Sequence, residues 1–181
     1  MKAILQLAFI LLCLNCHSQT QKMTSFGAKA GYNNSNISGK DSNGDELGYL
    51  GNEIYVGLFS DFQLFQKVNF QAELIYSYTE DYNFLEVPLN IKYQLYKKLY
   101  VFAGPKLDFI LDNDEDVSED NYEFRNFGVS ADFGVQYYFI EKFFAELRYS
   151  IGFEEQLKRD IQLDINNATR NTFRIGLGYK F

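Results

Sequence analysis

Charged side chains recur at alternate positions of strand-like segments along this chain of 181 residues. Carboxylates placed in pairs could carry out acid–base catalysis, in which one group donates a proton and another accepts one. The competing interpretation is structural, because charges that share a closed interior must be paired with one another. The alternating positions are Lys29, Glu53, Asp61, Glu73, Glu86, Lys92, Lys106, Asp108, Asp132, Glu146, Arg148, Arg174 and Lys180.

An acidic segment at residues 112–123 is the second group that could bind a ligand. Clustered carboxylate oxygens are ligands that Ca²⁺ accepts, and Asp112, Asp114 and Asp116 alternate within this segment. The alternative is a solvated charge run with no bound ion. The acidic side chains are Asp112, Asp114, Glu115, Asp116, Glu119, Asp120 and Glu123.

The N-terminus has the pattern of an export signal. Lys2 precedes an apolar run at residues 3–14, and small residues lead up to a cleavage position after Ser18. A membrane anchor fits less well because the run is short. A lipoprotein acylated at Cys16 fits less well because Asn15 is not a small residue. We therefore expect residues 1–18 to be a signal peptide and residues 19–181 to be the mature domain.

Cleavage at that position would remove the one histidine, His17, and both cysteines, Cys13 and Cys16. A Ser-His nucleophile pair or a histidine-bound metal would then be excluded from the mature chain. We expect no enzyme, no cofactor and no catalytic or metal centre. The net charge of −7 also argues against nucleic acid as a partner, since phosphate binding needs a basic surface.

Alternation of apolar and polar residues indicates that β-strands position these charges. The last strand shows it most clearly, because large apolar residues occupy every second position and small or charged residues lie between them. Its apolar residues are Phe173, Ile175, Leu177, Tyr179 and Phe181. The same pattern predicts eight strands, at residues 25–34, 51–62, 68–79, 84–95, 99–112, 125–139, 143–153 and 171–181.

The lengths of the connections indicate how these strands are arranged. Short turns follow the second, fourth and sixth strands, whereas long loops follow the first, fifth and seventh. Bacterial outer-membrane barrels have short periplasmic turns and longer external loops. The sequence therefore predicts an all-β fold, an eight-stranded antiparallel up-and-down transmembrane β-barrel in the bacterial outer membrane with both termini periplasmic. A soluble lipocalin-like barrel would instead place its apolar residues inside.

Two prolines interrupt the predicted strands at neighbouring positions. Pro88 and Pro105 each lack the amide hydrogen that a β-ladder needs. We expect a local bulge or gap in the sheet where they lie.

Several short motifs resemble the PorT-like outer-membrane β-barrel domain family of Bacteroidota, over nearly the whole predicted mature chain. The resemblance implies a barrel in the outer membrane and no particular activity. The founding member of that family is similar to a part of the type IX secretion apparatus. The motifs are Gly57-Leu58-Phe59, Phe70-Gln71-Ala72-Glu73-Leu74-Ile75-Tyr76-Ser77, Leu85-Glu86-Val87-Pro88-Leu89, Ala103-Gly104-Pro105 and Tyr179-Lys180-Phe181.

A barrel of eight strands is just wide enough for side chains to fill it, so we expect the alternating charges to form a network that plugs the lumen. Glu146 and Arg148 lie two apart on the seventh strand and Arg174 lies at a similar height on the next, so we expect all three to form part of this network. The predicted network is Glu73, Lys92, Lys106, Asp132, Glu146, Arg148 and Arg174.

The expected role is structural or one of surface interaction through the external loops. The alternatives are an accessory component of an envelope secretion complex of the type IX kind, and a soluble exported lipocalin-like ligand carrier. The expected partners are outer-membrane lipid, the barrel-assembly machinery through the C-terminal strand, and a candidate envelope protein.

Overall fold

A computed structural model describes residues 24–40, 46–78, 83–111, 122–124, 127–153, 157–160 and 165–181. Among these residues, no helix is long and apolar enough to cross a membrane. The described residues form the β-strands β1 Thr24–Lys40, β2 Glu46–Phe65, β3 Val68–Tyr78, β4 Asn83–Tyr96, β5 Leu99–Leu111, β6 Tyr122–Phe124, β7 Phe127–Tyr138, β8 Phe143–Gly152, β9 Leu157–Asp160 and β10 Ile165–Lys180.

Eight long strands form a closed antiparallel barrel. Each of them pairs with the next long strand along the chain, in the order β1-β2-β3-β4-β5-β7-β8-β10. The first and last strands complete the cylinder, because β1 pairs antiparallel with β10 from Gly27 opposite Lys180 to Asn36 opposite Asn171 and beyond. Closure leaves the barrel itself without an open edge. The predicted eight-stranded antiparallel barrel is confirmed.

The two rims of the barrel differ, and we call them the turn end and the loop end. The turn end carries the tight connections at residues 66–67, 97–98 and 139–142. Both ends of the described chain lie there as well, since the Phe181 amide donates a hydrogen bond to the Phe26 carbonyl at 2.9 Å. The loop end is the opposite rim, where the longer connections lie. The long connections after the fifth and seventh long strands agree with the sequence prediction, whereas only residues 41–45 separate β1 from β2.

One side of the wall rises well above the rest at the loop end. β2 has 20 residues and β1 has 17, whereas β8 has 10. A transmembrane strand needs about 9–11 residues, so β8 is just long enough to cross and β2 extends far beyond it. The short strands β9 and β6 add to this wall, because β9 pairs with β10 and β6 pairs with β9.

Strands of this tall wall, which consists of β1, β2, β10, β9 and β6, occupy parts of three segments that were predicted to be loops. Residues 35–48 were expected to be a polar loop, yet β1 continues to Lys40 and pairs residue by residue with the start of β2. The expected loop at residues 154–170 contains β9 and the start of β10, and the expected loop at residues 113–124 contains β6. Glycine, asparagine and serine favour turns, but pairing with a neighbouring strand decides β-structure more strongly than residue preference does.

The apolar side chains face outward and the polar ones face the axis. Leu177 is 60% exposed and Tyr149 is 38% exposed, whereas Arg148 and Arg174 are 1% and 0% exposed. A soluble lipocalin-like barrel has the reverse arrangement. The geometry therefore contradicts a lipocalin-like ligand carrier and agrees with an outer face that meets hydrocarbon.

The sheet has a gap beside Pro88. The pairing of β3 with β4 stops at Ala72 opposite Leu89 and resumes at Ile75 opposite Glu86. The pairing of β4 with β5 stops at Pro88 opposite Lys106 and resumes at Ile91 opposite Ala103. The register is the same on both sides of each interruption, so the prolines leave a gap in the ladder without a bulge.

Candidate functional site: the charged barrel interior

The interior of the barrel is lined by buried charged side chains. Six cationic and seven acidic side chains are buried among the described residues. All thirteen belong to at least one ion pair within the barrel. Isolated charges in such a site would be strongly unfavourable, so their near balance in number is a condition for folding. They are Lys29, Lys92, Lys106, Arg148, Arg170, Arg174, Glu53, Asp61, Glu73, Glu86, Asp108, Asp132 and Glu146.

The central cluster is built around Arg148 on β8. Its guanidinium nitrogens lie 2.7 Å from Glu73, 2.7 Å from Asp132 and 3.1 Å from Glu146. The ammonium of Lys29 on β1 reaches two of the same carboxylates, at 2.6 Å from Glu73 and 3.1 Å from Glu146. Charge-assisted hydrogen bonds of this kind are the strong ones. This cluster therefore ties β1, β3, β7 and β8 together across the lumen.

The loop-end cluster is built around Glu86 on β4. Its carboxylate accepts hydrogen bonds from Arg174 at 2.8 Å and from Lys106 at 3.1 Å. Lys106 also lies 3.0 Å from Asp108, whose other oxygen accepts a hydrogen bond from the Ser130 hydroxyl at 2.6 Å. The cluster links β4, β5, β7 and β10.

Arg170 extends this cluster and was missed by the sequence analysis. It was assigned to a loop, but it lies on β10 with 4% exposure and donates to both oxygens of Glu53 at 2.6 and 2.7 Å. The signal was available, because Arg170, Thr172 and Arg174 share the period of two that marks one face of a strand. Arg170 was left out because the predicted strand began one residue later, at residue 171.

The turn-end cluster is the smallest. Lys92 on β4 pairs with Asp61 on β2, and Asn69 donates to the same carboxylate at 3.3 Å. Lys92 also donates to Gln136 Oε1 at 3.3 Å, and the Gln136 amide donates to Glu146 at 2.7 Å. Gln136 therefore connects the turn-end cluster with the central one, so that polar contacts run along the lumen.

Aromatic rings lie against the buried guanidinium groups. Arg148 is 4.7 Å from the ring centroid of Phe102, Arg174 is 4.5 Å from that of Tyr55, and Arg170 is 3.8 Å from that of Phe84. A desolvated cation over an aromatic face gains about 2 kcal/mol or more. The sequence pattern predicts a charged and glycine-rich inner face, and the structure adds these aromatic rings to it.

Glycines on the same face make room for the rings. A Cβ atom at Gly176 would overlap the Tyr55 hydroxyl, and one at Gly178 would overlap the Phe144 ring. Tyr55 and Phe144 are themselves 1% and 0% exposed. The close approach of ring and backbone explains why β10 alternates glycine with large apolar residues near its C-terminal end.

The seven residues predicted for the lumen network all face the interior and are buried. The structure brings Glu146 and Arg148 together, whereas Arg174, which lies opposite Arg148 in the register, pairs with Glu86. Lys180, expected in the lumen, is half-buried at the turn end.

On the terminal strand, Phe173, Ile175 and Leu177 are exposed on the outer face, with fractions of 49%, 49% and 60%. Phe181 is exposed next to them, and Tyr179 is half-buried. The apolar side chains of this strand therefore lie on the outer face, which was predicted to face lipid.

The remaining predicted sites lie outside the described residues. These are the candidate calcium ligands Asp112, Asp114 and Asp116 and the N-terminal segment 1–18. Within the described part of the chain, no group of three His, Cys, Asp or Glu side chains is arranged to hold a metal ion. The interior carboxylates are engaged by cations or hydrogen-bond donors, an arrangement that suits a packed polar core better than acid–base chemistry.

Comparison with known proteins places the fold among outer-membrane barrels. Neisserial surface protein A superposes with a TM-score of 0.58 and 11% identity, covering 88% of this chain and 100% of that one. The Yersinia pestis attachment invasion locus protein Ail, solved with the heparin analogue sucrose octasulfate, has a TM-score of 0.52 and 11% identity, covering 87% and 99%. The outer-membrane enzyme PagL has a TM-score of 0.50 and 12% identity, covering 81% and 98%.

These three proteins share a fold with the chain, and their different roles show that the fold leaves the function open. A search of curated protein sequences finds no match. The profile of the family described as "Outer membrane protein beta-barrel domain" matches residues 4–181. The chain therefore belongs to the outer-membrane β-barrel domain family.

Proposed function

We propose that the protein is an integral outer-membrane barrel with a closed lumen, and that it acts through its loop end as a structural or surface-interaction protein. The observation that carries the closed lumen is the ion pairing of all thirteen buried charges. An eight-stranded barrel has space for side chains and none for a wide channel. The clusters fill that space at three heights, so a solute would have to break several ion pairs to pass.

Conductance in a planar lipid bilayer tests the closed lumen. The purified barrel should insert without producing stepwise currents, whereas a large porin handled in the same way serves as the positive control. Steady steps of uniform size from the unaltered protein would contradict a closed lumen.

We propose that the turn end faces the periplasm and the loop end faces outward. The short connections at residues 66–67 and 97–98 support this orientation, since periplasmic turns are the short ones in such barrels. A membrane-impermeant amine reagent tests it. On intact cells it should leave Lys97 and Lys98, which are exposed at the turn end, unlabelled, and it should reach them only after the membrane is opened. Labelling of Lys97 and Lys98 on intact cells would reverse the orientation.

A second candidate role is that of an accessory component in an envelope secretion complex. The tall wall supports it. Residues 46–53 of β2 pair with β1, but among the described residues β3 reaches only Tyr78, opposite Ile54. A strand edge of this kind can pair with a strand of another protein. Cross-linking followed by purification in mild detergent should recover one stoichiometric partner, and recovery of the barrel alone would reject this role.

Catalysis is not proposed. PagL shows that a barrel of this fold can be an enzyme, but the interior carboxylates here are held in ion pairs. Activity that disappears when Glu73 or Asp132 is replaced, in a variant that still folds, would reverse that conclusion.

A further inference from the structure

The outer wall carries a groove where the first and last strands meet. It has a volume of 620 Å³ and lies on the apolar face, over the seam between β1 and β10. Pockets of about 300–1,000 Å³ are typical of sites for small molecules. The groove is lined chiefly by Ala28, Ala30, Val56, Leu58, Leu177 and Tyr179.

The groove exists because small residues lie between large ones. Ala28 on β1 is opposite Leu58 on one side and Tyr179 on the other. Ala30 is likewise flanked by Val56 and Leu177. The large side chains stand out from the wall on both sides of the two alanines, so they leave a trough over β1, and the groove continues across β2 to Leu74, Tyr76 and Leu85. An extended hydrocarbon chain fits such a trough, and the wall around it lies in hydrocarbon.

A cation lies at the turn end of the groove. Lys142 Nζ is 5.7 Å from the ring centroid of Tyr179, and both Tyr179 and its neighbour Phe143 line the groove. Lys142 is exposed at the rim, as are Lys67, Lys97 and Lys98, while the exposed acid in the turns is Glu141. The turn end is therefore basic although the whole chain carries a net charge of −7.

We propose that the groove is a binding site for one anionic phospholipid, with an acyl chain along Ala28 and Ala30 and the headgroup phosphate on Lys142. The positive rim complements an anionic headgroup, and Lys142 is placed where a lipid whose chain occupies the groove carries its phosphate. An ammonium close to an anionic membrane surface contributes about 1 kcal/mol, which is about fivefold in affinity. The apolar groove supplies affinity for the chain, and the lysine supplies preference for the charge.

A second copy of the barrel is the competing occupant, and the charges disfavour it. A two-fold axis along the membrane normal would bring groove against groove and would place both copies of Lys142 at the same level near the axis. Like charges so arranged repel each other. The inference rests on membrane insertion alone and is independent of whether the lumen is closed.

Native mass spectrometry tests the site. The barrel is folded in detergent with equal amounts of palmitoyl-oleoyl phosphatidylglycerol and phosphatidylcholine, and bound lipid is counted. The unaltered protein should retain one phosphatidylglycerol in preference to phosphatidylcholine. Ala28→Leu together with Ala30→Leu should remove the bound lipid, because the added side chains fill the groove without entering the barrel. Lys142→Gln should reduce the preference about fivefold, and Lys142→Arg should preserve it.

Two matched variants serve as controls. Ala103→Leu makes the same change on the outer face of β5, away from the groove, and Lys97→Gln removes a lysine from another turn; both should behave like the unaltered protein. A gel shift on boiling verifies that each variant is folded. The proposal is overturned if the groove variants retain as much lipid as Ala103→Leu, if Lys142→Gln matches Lys97→Gln, or if filling the groove dissociates a dimer. None of these results bears on conductance, which tests the closed lumen separately.

Discussion

The two faces of the barrel wall place the same strands in opposite surroundings. On β10, Arg174 is 0% exposed toward the axis while its neighbour Ile175 is 49% exposed on the outside. The inner face is stabilised by specific partners, since each buried charge needs its counterion at hydrogen-bonding distance. The outer face is stabilised by contact with the hydrocarbon of the bilayer, which accepts any large apolar side chain. On the outer face any apolar replacement should therefore be tolerated. On the inner face a replacement should be tolerated only if it keeps the partners of the original side chain.

The largest loss of stability is expected for Arg148, whose side chain forms ion pairs with three carboxylates on the inner face. Arg148→Leu should destabilise the barrel by about 3–5 kcal/mol, because removing one partner leaves buried charges uncompensated. Glu73, Asp132 and Glu146 would all lose a contact. Urea unfolding of the barrel in phospholipid vesicles, followed by gel mobility, measures the change. Arg148→Lys keeps a charge and should lose less; equal and small losses for both variants would show that the interior tolerates unpaired acids.

A charge on the outer face should cost somewhat less and should depend on depth. Ile175→Arg is expected to destabilise the folded barrel by about 2–4 kcal/mol if it lies near the bilayer midplane, and Phe181→Arg at the rim by about 0–1 kcal/mol. The same urea titration compares both with Ile175→Leu, which should be nearly neutral. A neutral result for Ile175→Arg would mean that this face is in contact with water.

The smallest of the three effects concerns packing between ring and backbone on the inner face. Gly176→Ala should destabilise the barrel by about 1–3 kcal/mol, because a Cβ atom there overlaps the Tyr55 hydroxyl. Adding Tyr55→Leu to Gly176→Ala should cost less than the sum of the two single losses in the same titration, because the overlap is then removed. Gly57→Ala, whose Cβ atom would lie 2.9 Å from the flexible Ile75 side chain, is the matched control and should lose less. Additive losses in the double variant would show that the ring and the glycine are not coupled.

The contrast between the faces also explains what could be predicted from the sequence. The period of two separates Arg174 from Ile175 without any structure, so the number of long strands and the two faces of each could be predicted. The alternating connection lengths then predicted a closed barrel. The partners could not be predicted, because pairs such as Lys29 with Glu146 lie 117 residues apart. Only the register and curvature of the closed sheet bring them together.

The positions at which strands begin and end were the second feature that could not be predicted from the sequence. Lys40 and Glu46 lie in segments rich in turn-forming residues, and their pairing makes them strand. The same uncertainty placed Arg170 in a loop and removed it from the predicted lumen set. Inward aromatic residues such as Tyr55 and Phe102 were missed for a different reason, since an apolar ring on a polar face breaks the pattern that the prediction used.

Which face of the wall meets hydrocarbon is the central claim, and spin labelling tests it most directly. Single-cysteine variants at Leu58 and Ile175, in a chain that begins at Gln19 and so lacks Cys13 and Cys16, are labelled and folded into phospholipid vesicles. Both labels should collide readily with dissolved oxygen, which concentrates in hydrocarbon, and should be shielded from a water-soluble nickel chelate. Labels accessible to the nickel chelate and poorly accessible to oxygen would contradict the account.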